Sequence, residues 1–318
     1  MIDFRYHLVS IVAIFLALAL GIVLGSTTLS NSVSDTLRQQ ANSAAKSAQQ
    51  ARNQQRDLER QGKGEEQFSR GLGPQLVTDR LKGQSVVLVE TPGAGDDSIE
   101  QLGELAKNAG AAVTGRVTVQ KKLLDDDQRA TVEELATQLK GDGVEFAADA
   151  TAYDKAGLVL ASALVTKDGA KSGREDAAGG AVLNAFRQGG YITTSGKVGQ
   201  HATLAIMVAP AGPYAYDGGG DDNKALISLA AALDGAGRGT VVGGPSTSAQ
   251  EGGLIAALRD ADAKETVSTV DVVDTASGQV VTILALQNEL GGKSGQYGTG
   301  AGASGYLPSP APTAGKNG

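Results

Sequence analysis

Cysteine and tryptophan are both absent from the 318 residues, aromatics make up only 4%, and there are two histidines and two methionines. Without cysteine there is no disulfide framework and no thiolate metal site, and the chain is compatible with an oxidising compartment. Basic residues are outnumbered, 28 Lys and Arg against 35 Asp and Glu, giving a net charge of −7. No basic face is left to neutralise phosphates, which excludes nucleic acid as a partner. So few aromatics also argue against an aromatic-girdled membrane barrel.

What is present starts with a charge-free apolar run, Leu8 to Leu24 (LVSIVAIFLALALGIVL). At ~1.5 Å per residue it reaches ~26 Å, the low end of what crosses a hydrocarbon core of ~30 Å, and Gly25 to Leu29 can lengthen it. A buried core helix explains it poorly, because the run is apolar on every side. A cleaved signal peptide is the stronger rival. The run exceeds the ~7–15 apolar residues of such peptides and no Ala-x-Ala site closes it, so an uncleaved signal anchor is expected. Arg5 precedes the span and the next charges are Asp35 and Arg38, in keeping with a cytoplasmic N-terminus and a body facing outward.

Residues 1–30 are thus read as a membrane anchor and 31–70 as a helical stalk. Leu37, Ala41, Ala44, Ala48, Ala51, Gln55 and Leu58 alternate by four and three, the spacing of a coiled-coil seam. Its knobs are mostly alanine, so each layer buries little area; a solvated stalk helix and a weak coiled coil joining copies of the chain both fit. Gly62 and Gly64 are expected to end it.

The body is read as residues 73–290. Strands are expected at Ser85–Val89, Ala112–Val119, Tyr191–Thr194, Thr203–Val208, Thr240–Val242 and Thr266–Val270. Helical spacing falls between them, at Ile99/Leu102/Leu105/Ala109, Val132/Leu135/Leu139 and Leu226/Leu229/Leu233, and Ala156–Val165 leans to helix by its Ala and Leu content. Strands alternating with amphipathic helices predict an α/β fold, a mostly parallel sheet covered by helices on both faces. Residues 291–318, rich in Gly, Ser and Pro, are expected to be a largely disordered tail.

Candidate chemistry is sparse. Thr91 to Asp97 (TPGAGDD) ends the first strand, but Gly93-x-Gly95 is followed by Ser98, and no acid caps the second strand; a dinucleotide site is not supported. Asp96 is expected to cap the following helix with Asp97 in its first turn. Gly235 to Gly239 precedes a strand, the wrong register for a phosphate loop. Nucleophilic catalysis needs a base, His201 is the only histidine outside the N-terminal segment, and no GxSxG elbow exists; the chain is not expected to be an enzyme. Met1, His7, His201 and Met207 are scattered, whereas a soft metal site wants several such ligands together. Asp96-Asp97, Asp221-Asp222 and Asp125 to Asp127 could hold a hard cation, although each also fits helix capping. The metal candidates are therefore Asp96, Asp97 and His201. Asp271 and Asp274 are placed in a turn between a strand and an apolar helix, satisfying turn amides, so that neutralising both should leave the fold intact.

Four blocks, Phe4–Ser26 (FRYHLVSIVAIFLALALGIVLGS), Ser85–Asp97 (SVVLVETPGAGDD), Ser268–Leu286 (STVDVVDTASGQVVTILAL) and Ser294–Ala303 (SGQYGTGAGA), together resemble the actinobacterial copper-transport family MctB. The resemblance implies a cell-envelope protein of copper efflux and copper homeostasis, described for the family as pore-forming in the outer membrane. Copper is then a transported ion and not a tightly bound cofactor. Its implied partners are the membrane, copper ions and other copies of itself. A single span cannot form a pore alone, and closed barrels need many alternating strands, so either copies assemble or the copper role is indirect. The alternative is a membrane-tethered extracytoplasmic scaffold or ligand-binding domain without a pore.

Overall fold

The computed structural model describes residues 4–214 and 219–309. They form two units, divided after Glu65.

The first unit belongs to one helix, α1 (Phe4–Val77). Its Phe4–Ser26 stretch has a mean hydropathy of 2.9 and is nowhere buried by protein, so it is long and apolar enough to cross a membrane. The polar stretch that follows is held by side chains one turn apart: Gln49 to Asn53 (3.0 Å), Gln55 to Glu59 (3.0 Å) and Gln61 to Glu65 (2.9 Å). Gly62 and Gly64 do not end the helix, contrary to expectation. A glycine terminates a helix when it turns left-handed, and neither does. The helix stops at Val77 instead, where Asp79 takes the left-handed conformation (φ 59°). The last carbonyls are satisfied by Thr78 Oγ1 on Pro74 O (2.9 Å) and Arg80 Nε on Leu76 O (3.1 Å).

The second unit is built on a seven-stranded sheet. Its elements in chain order are β1 (Ser85–Glu90), α2 (Asp96–Asn108), β2 (Ala112–Val119), α3 (Lys121–Leu124), α4 (Arg129–Gln138), α5 (Ala152–Leu164), α6 (Ala177–Gln188), β3 (Ile192–Gly196), β4 (Leu204–Val208), α7 (Gly219–Ala236), β5 (Thr240–Gly243), α8 (Leu254–Asp260), β6 (Ser268–Val270), α9 (Ala276–Leu290) and β7 (Gln296–Tyr297). Strand order is β3-β2-β1-β4-β5-β6-β7, and all neighbours are parallel except the edge pair β2 and β3.

The side chains alternate as a two-sided sheet requires. Val87, Val89, Val117, Ala205, Met207 and Val242 face one core, filled by Leu160 and Leu164 of α5, Phe186 of α6, Leu226 and Leu233 of α7, and Leu258 of α8. Val86, Leu88, Leu204, Ile206, Val241 and Val270 face the other, closed by Ile99 and Leu102 of α2, Ile283 and Leu286 of α9, and Val77 at the end of α1. Glu66, in the last turns of α1, accepts a hydrogen bond from the Ala276 N–H that opens α9 (3.0 Å).

The six expected strands are present, and all of Ala156–Val165 but its last residue lies in helix α5, which Thr151 and Asp154 start as a reciprocal capping box and Val165 ends in extended conformation. Four elements escaped the sequence: the one-turn α3, α6, whose AAGG opening hides its period, the short α8, and β7. β7 falls in the segment expected to be disordered. Gln296 and Tyr297 pair with Thr269 and Val270, and Tyr297 is buried. Of the expected tail, residues 310–318 lie outside the described residues.

Leu102 is fully buried between α2 and the sheet, whereas Glu104 on the same helix is exposed. Leu102→Ala should cost ~2–5 kcal/mol in denaturant titration, and Glu104→Ala less than ~0.5 kcal/mol.

Candidate functional site

Open α/β sheets bind ligands beyond the carboxyl ends of the strands, where the strand order reverses. Here that point lies between β1 and β4, and the chain's own loops fill it. Thr91 donates its N–H (3.2 Å) and Oγ1 (2.8 Å) to Val208 O, Ala211 N–H donates to Gly93 O (2.9 Å), and the Tyr214 hydroxyl donates to Pro92 O (2.9 Å). The TPGAGDD turn is therefore a joint between loops.

Asp96 does not cap α2 as expected. Gly95 holds the N-cap position without a side-chain bond, and Asp96 is drawn across to β2, where it accepts from Arg116 Nη2 (2.6 Å). The same guanidinium grips Glu90 Oε2 through Nε (2.8 Å) and Nη2 (2.5 Å), and Thr118 Oγ1 adds a third bond (2.7 Å). Hydrogen bonding from Arg116 holds the Asp96 carboxyl below its usual range. Asp97 is exposed in the first turn of α2.

The other acidic groups are also engaged. Asp125 caps a short 3-10 turn through Asp127 N–H (3.1 Å), Asp126 pairs with Arg129 (2.5 Å), and Asp221 pairs with Lys224 (2.8 Å). Among the described residues no group of three or more His, Cys, Asp and Glu side chains is placed to share a metal ion. His7 lies exposed on α1, and Met207 is core of β4.

His201 sits at the amino end of β4, beside Ser85 at the start of β1, whereas Asp96 and Asp97 follow the carboxyl end of β1. The sheet thus keeps His201 apart from Asp96 and Asp97. His201 is 8% exposed and its backbone is fixed: the N–H donates to Arg174 O (3.2 Å) and the carbonyl accepts from Gly173 N–H (2.9 Å). Its Nε2 is buried without a hydrogen-bond partner and faces Asp176 Oδ2 at 3.9 Å.

Two further sites were not found from the sequence. The first joins Asp271, at the end of β6, to Arg259 of α8; their side chains are 0% and 3% exposed. Arg259 donates through Nη1 to Asp271 Oδ2 (2.7 Å) and Ala301 O (2.8 Å), through Nε to Thr269 Oγ1 (2.9 Å) and through Nη2 to Tyr297 O (2.9 Å). Asp271 in turn accepts from Thr299 N–H (2.8 Å) and Gly300 N–H (3.0 Å). Asp271 does bind loop amides, as expected, but the amides belong to a segment 28 residues away and the carboxylate is half of a buried ion pair. Neutralising Asp271 is therefore expected to destabilise the body, the opposite of the first expectation, while Asp274 is exposed. A Cβ on Gly298 would overlap the Asp271 carboxylate, which accounts for that glycine in the GQYGTG block.

The second is a cavity of about 430 Å³ beside the amino ends of β5 and β6, lined by Lys167, Asp234, Arg238, Glu265 and Glu289 among others. Burial raises the Glu289 carboxyl to about 8, against a hydrogen bond from Ser268 and with a further push from the Asp234 charge. Burial raises Asp234 as well. At neutral pH Glu289 therefore holds its proton. The only signal in the sequence was a lone acid near the end of an apolar helix.

A family model described as "Copper transport outer membrane protein, MctB" matches residues 1–308. The chain is 33% identical over 317 residues to "Copper transporter MctB" of Mycobacterium tuberculosis (strain ATCC 25618 / H37Rv), covering 95% of this chain and 98% of that one. The Mycobacterium bovis protein of the same name matches equally. Its Mycobacterium leprae (strain TN) counterpart is 33% identical over 253 residues, 74% of this chain and 77% of that one.

Two outcomes follow from these sites. Asp271→Asn should leave Arg259 as an uncompensated buried charge and cost ~3–5 kcal/mol in denaturant titration, whereas Asp274→Asn should change stability by less than ~0.5 kcal/mol. Glu289 gives a pH signature. Between the ordinary glutamate range and about 8, the folded state keeps a proton that the unfolded chain has released, so stability falls as pH rises through that window. Glu289→Gln should flatten that slope, melting near wild type at pH ~4.5 and above it at pH ~8.

Proposed function

We propose that this chain, which belongs to the MctB family, is a cell-envelope protein of copper efflux and copper homeostasis that acts as a tethered assembly and not as an enzyme. The observation that carries this reading is the Phe4–Ser26 span, the one such helix among the described residues, on a chain that matches the copper transporters along nearly its whole length. Residues 1–30 act as a single-pass anchor, 31–70 as a stalk, and the α/β body works on the outer side of the cytoplasmic membrane. Copper is cargo.

One span gives no passage through a bilayer, and the sheet buries both of its faces within the body, leaving no apolar outer band among the described residues. Any passage must therefore be built by several copies. The stalk offers the means. Leu37, Ala44, Ala51 and Leu58 alternate with Ala41, Ala48 and Gln55 in heptad spacing, and Leu37 and Leu58 are exposed. Copies anchored by the same span run parallel, which brings Ser47 opposite Arg52 and Gln54 opposite Glu59, so no like charges meet across the seam.

Copper content and growth of cells lacking the protein test the efflux reading. Several-fold higher copper and a lower tolerated concentration are expected, and wild-type values for both would overturn it. The absence of cysteine makes the assembly directly measurable. In native membranes Ala48→Cys, on the seam, should oxidise to a dimer, while Asn53→Cys, on the outer face, should remain monomeric. Equal crosslinking of both, or of neither, would favour a monomeric tethered scaffold.

A further inference from the structure

The one imidazole of the body is set where a core histidine would not be left. His201 Nε2 is buried and has no hydrogen-bond partner, a condition that costs free energy unless something occupies the lone pair. The group it faces, Asp176 Oδ2, is 3.9 Å away, too far for a hydrogen bond. It is the separation of two donors on either side of one ion, since first-row metal ions bind imidazole nitrogen and carboxylate oxygen at ~2.0–2.2 Å each.

Both donors are held by the fold before any ligand arrives. Asp176 caps α6, its Oδ2 accepting from Gly179 N–H (2.8 Å), which leaves further lone pairs on the carboxylate. The segment before it is stitched to the His201 strand by Gly173 N–H to His201 O (2.9 Å), His201 N–H to Arg174 O (3.2 Å) and Asp176 N–H to Gly199 O (3.3 Å). The imidazole is enclosed, but the Asp176 side chain is 42% exposed, so the pair is open to solvent on the carboxylate side.

We propose that His201 Nε2 and Asp176 Oδ2 form a two-donor site for a borderline divalent ion, copper(II) first, with water filling the remaining positions. The choice of copper rests on the copper-efflux reading, whereas the donor pair rests on geometry alone. Among divalent first-row ions, copper(II) binds a mixed nitrogen and oxygen site most tightly, and imidazole suits it. Two protein ligands make the site weak and exchangeable, as suits cargo.

The test is copper(II) chloride titrated into full-length protein in detergent, followed by electron paramagnetic resonance and by the imidazole proton signals of His201. One ion with superhyperfine coupling to a single nitrogen is expected. Affinity should fall at least ~10-fold in His201→Gln and measurably in Asp176→Asn, and stay unchanged in His7→Gln. Where Asp176→Asn lowers the melting temperature through loss of its cap, His201→Gln decides. Binding that survives His201→Gln, binding that follows His7, or an imidazole that only takes up a proton and never broadens with copper would overturn the site. Copper tolerance separates the two readings. If cells lacking the protein are copper-sensitive and His201→Gln restores them fully, the site has no part in efflux and the family reading stands. If the deletion is not sensitive at all, the efflux reading falls whatever the titration shows.

Discussion

The body is held closed by a buried charge pair. Arg259 and Asp271 lie in a region where an isolated ion would be intolerable, and they are tolerated because their hydrogen-bonding capacity is spent on one another and on the backbone of residues 297–301. The last strand has almost no apolar surface to offer, Tyr297 apart, so burial alone could not hold it. Polar tethering does that work here: α8, β6 and β7 converge on one guanidinium. Gly298 and Gly300 allow the backbone close enough to reach the carboxylate, with a Cβ on Gly300 falling 2.9 Å from Asp271 Oδ2.

This division explains what was legible in the sequence. Apolar runs such as Ser85–Val89 and Thr203–Val208 announced buried parallel strands, and the three-and-four spacing of Ile99, Leu102 and Leu105 announced α2, because both signals come from side chains removed from water. The GQYGTG segment carries no such signal, and composition pointed to disorder. Nothing local to Gln296 indicates that Arg259, more than thirty residues earlier, waits for its backbone. Gly62 and Gly64 misled for a related reason: glycine lowers helix propensity but ends a helix only where a left-handed turn follows, and that turn came at Asp79.

The site residues were legible as residue types but not as a constellation. Which end of a strand a residue occupies depends on chain direction through the sheet, and that places Asp97 and His201 at opposite ends. Asp176 lay in a stretch whose helix was not recognised, so its position beside His201 was out of reach. The carboxyl end of the sheet, where such folds place ligands, is occupied by the molecule's own loops. The imidazole whose Nε2 lacks a partner and the carboxyl of Glu289, raised by burial, lie at the amino end instead.

The tether also dictates an order of events. Each bond from Arg259 and Asp271 to the final loop joins residues 28 to 42 positions apart, and the loop is the later partner every time. In a chain made from its N-terminus, the sheet and both helical layers can condense while the guanidinium still lacks its backbone acceptors. The fold is complete only when the glycine-rich segment has followed. Until then the body is an unlatched intermediate, and its completion waits on its least hydrophobic strand.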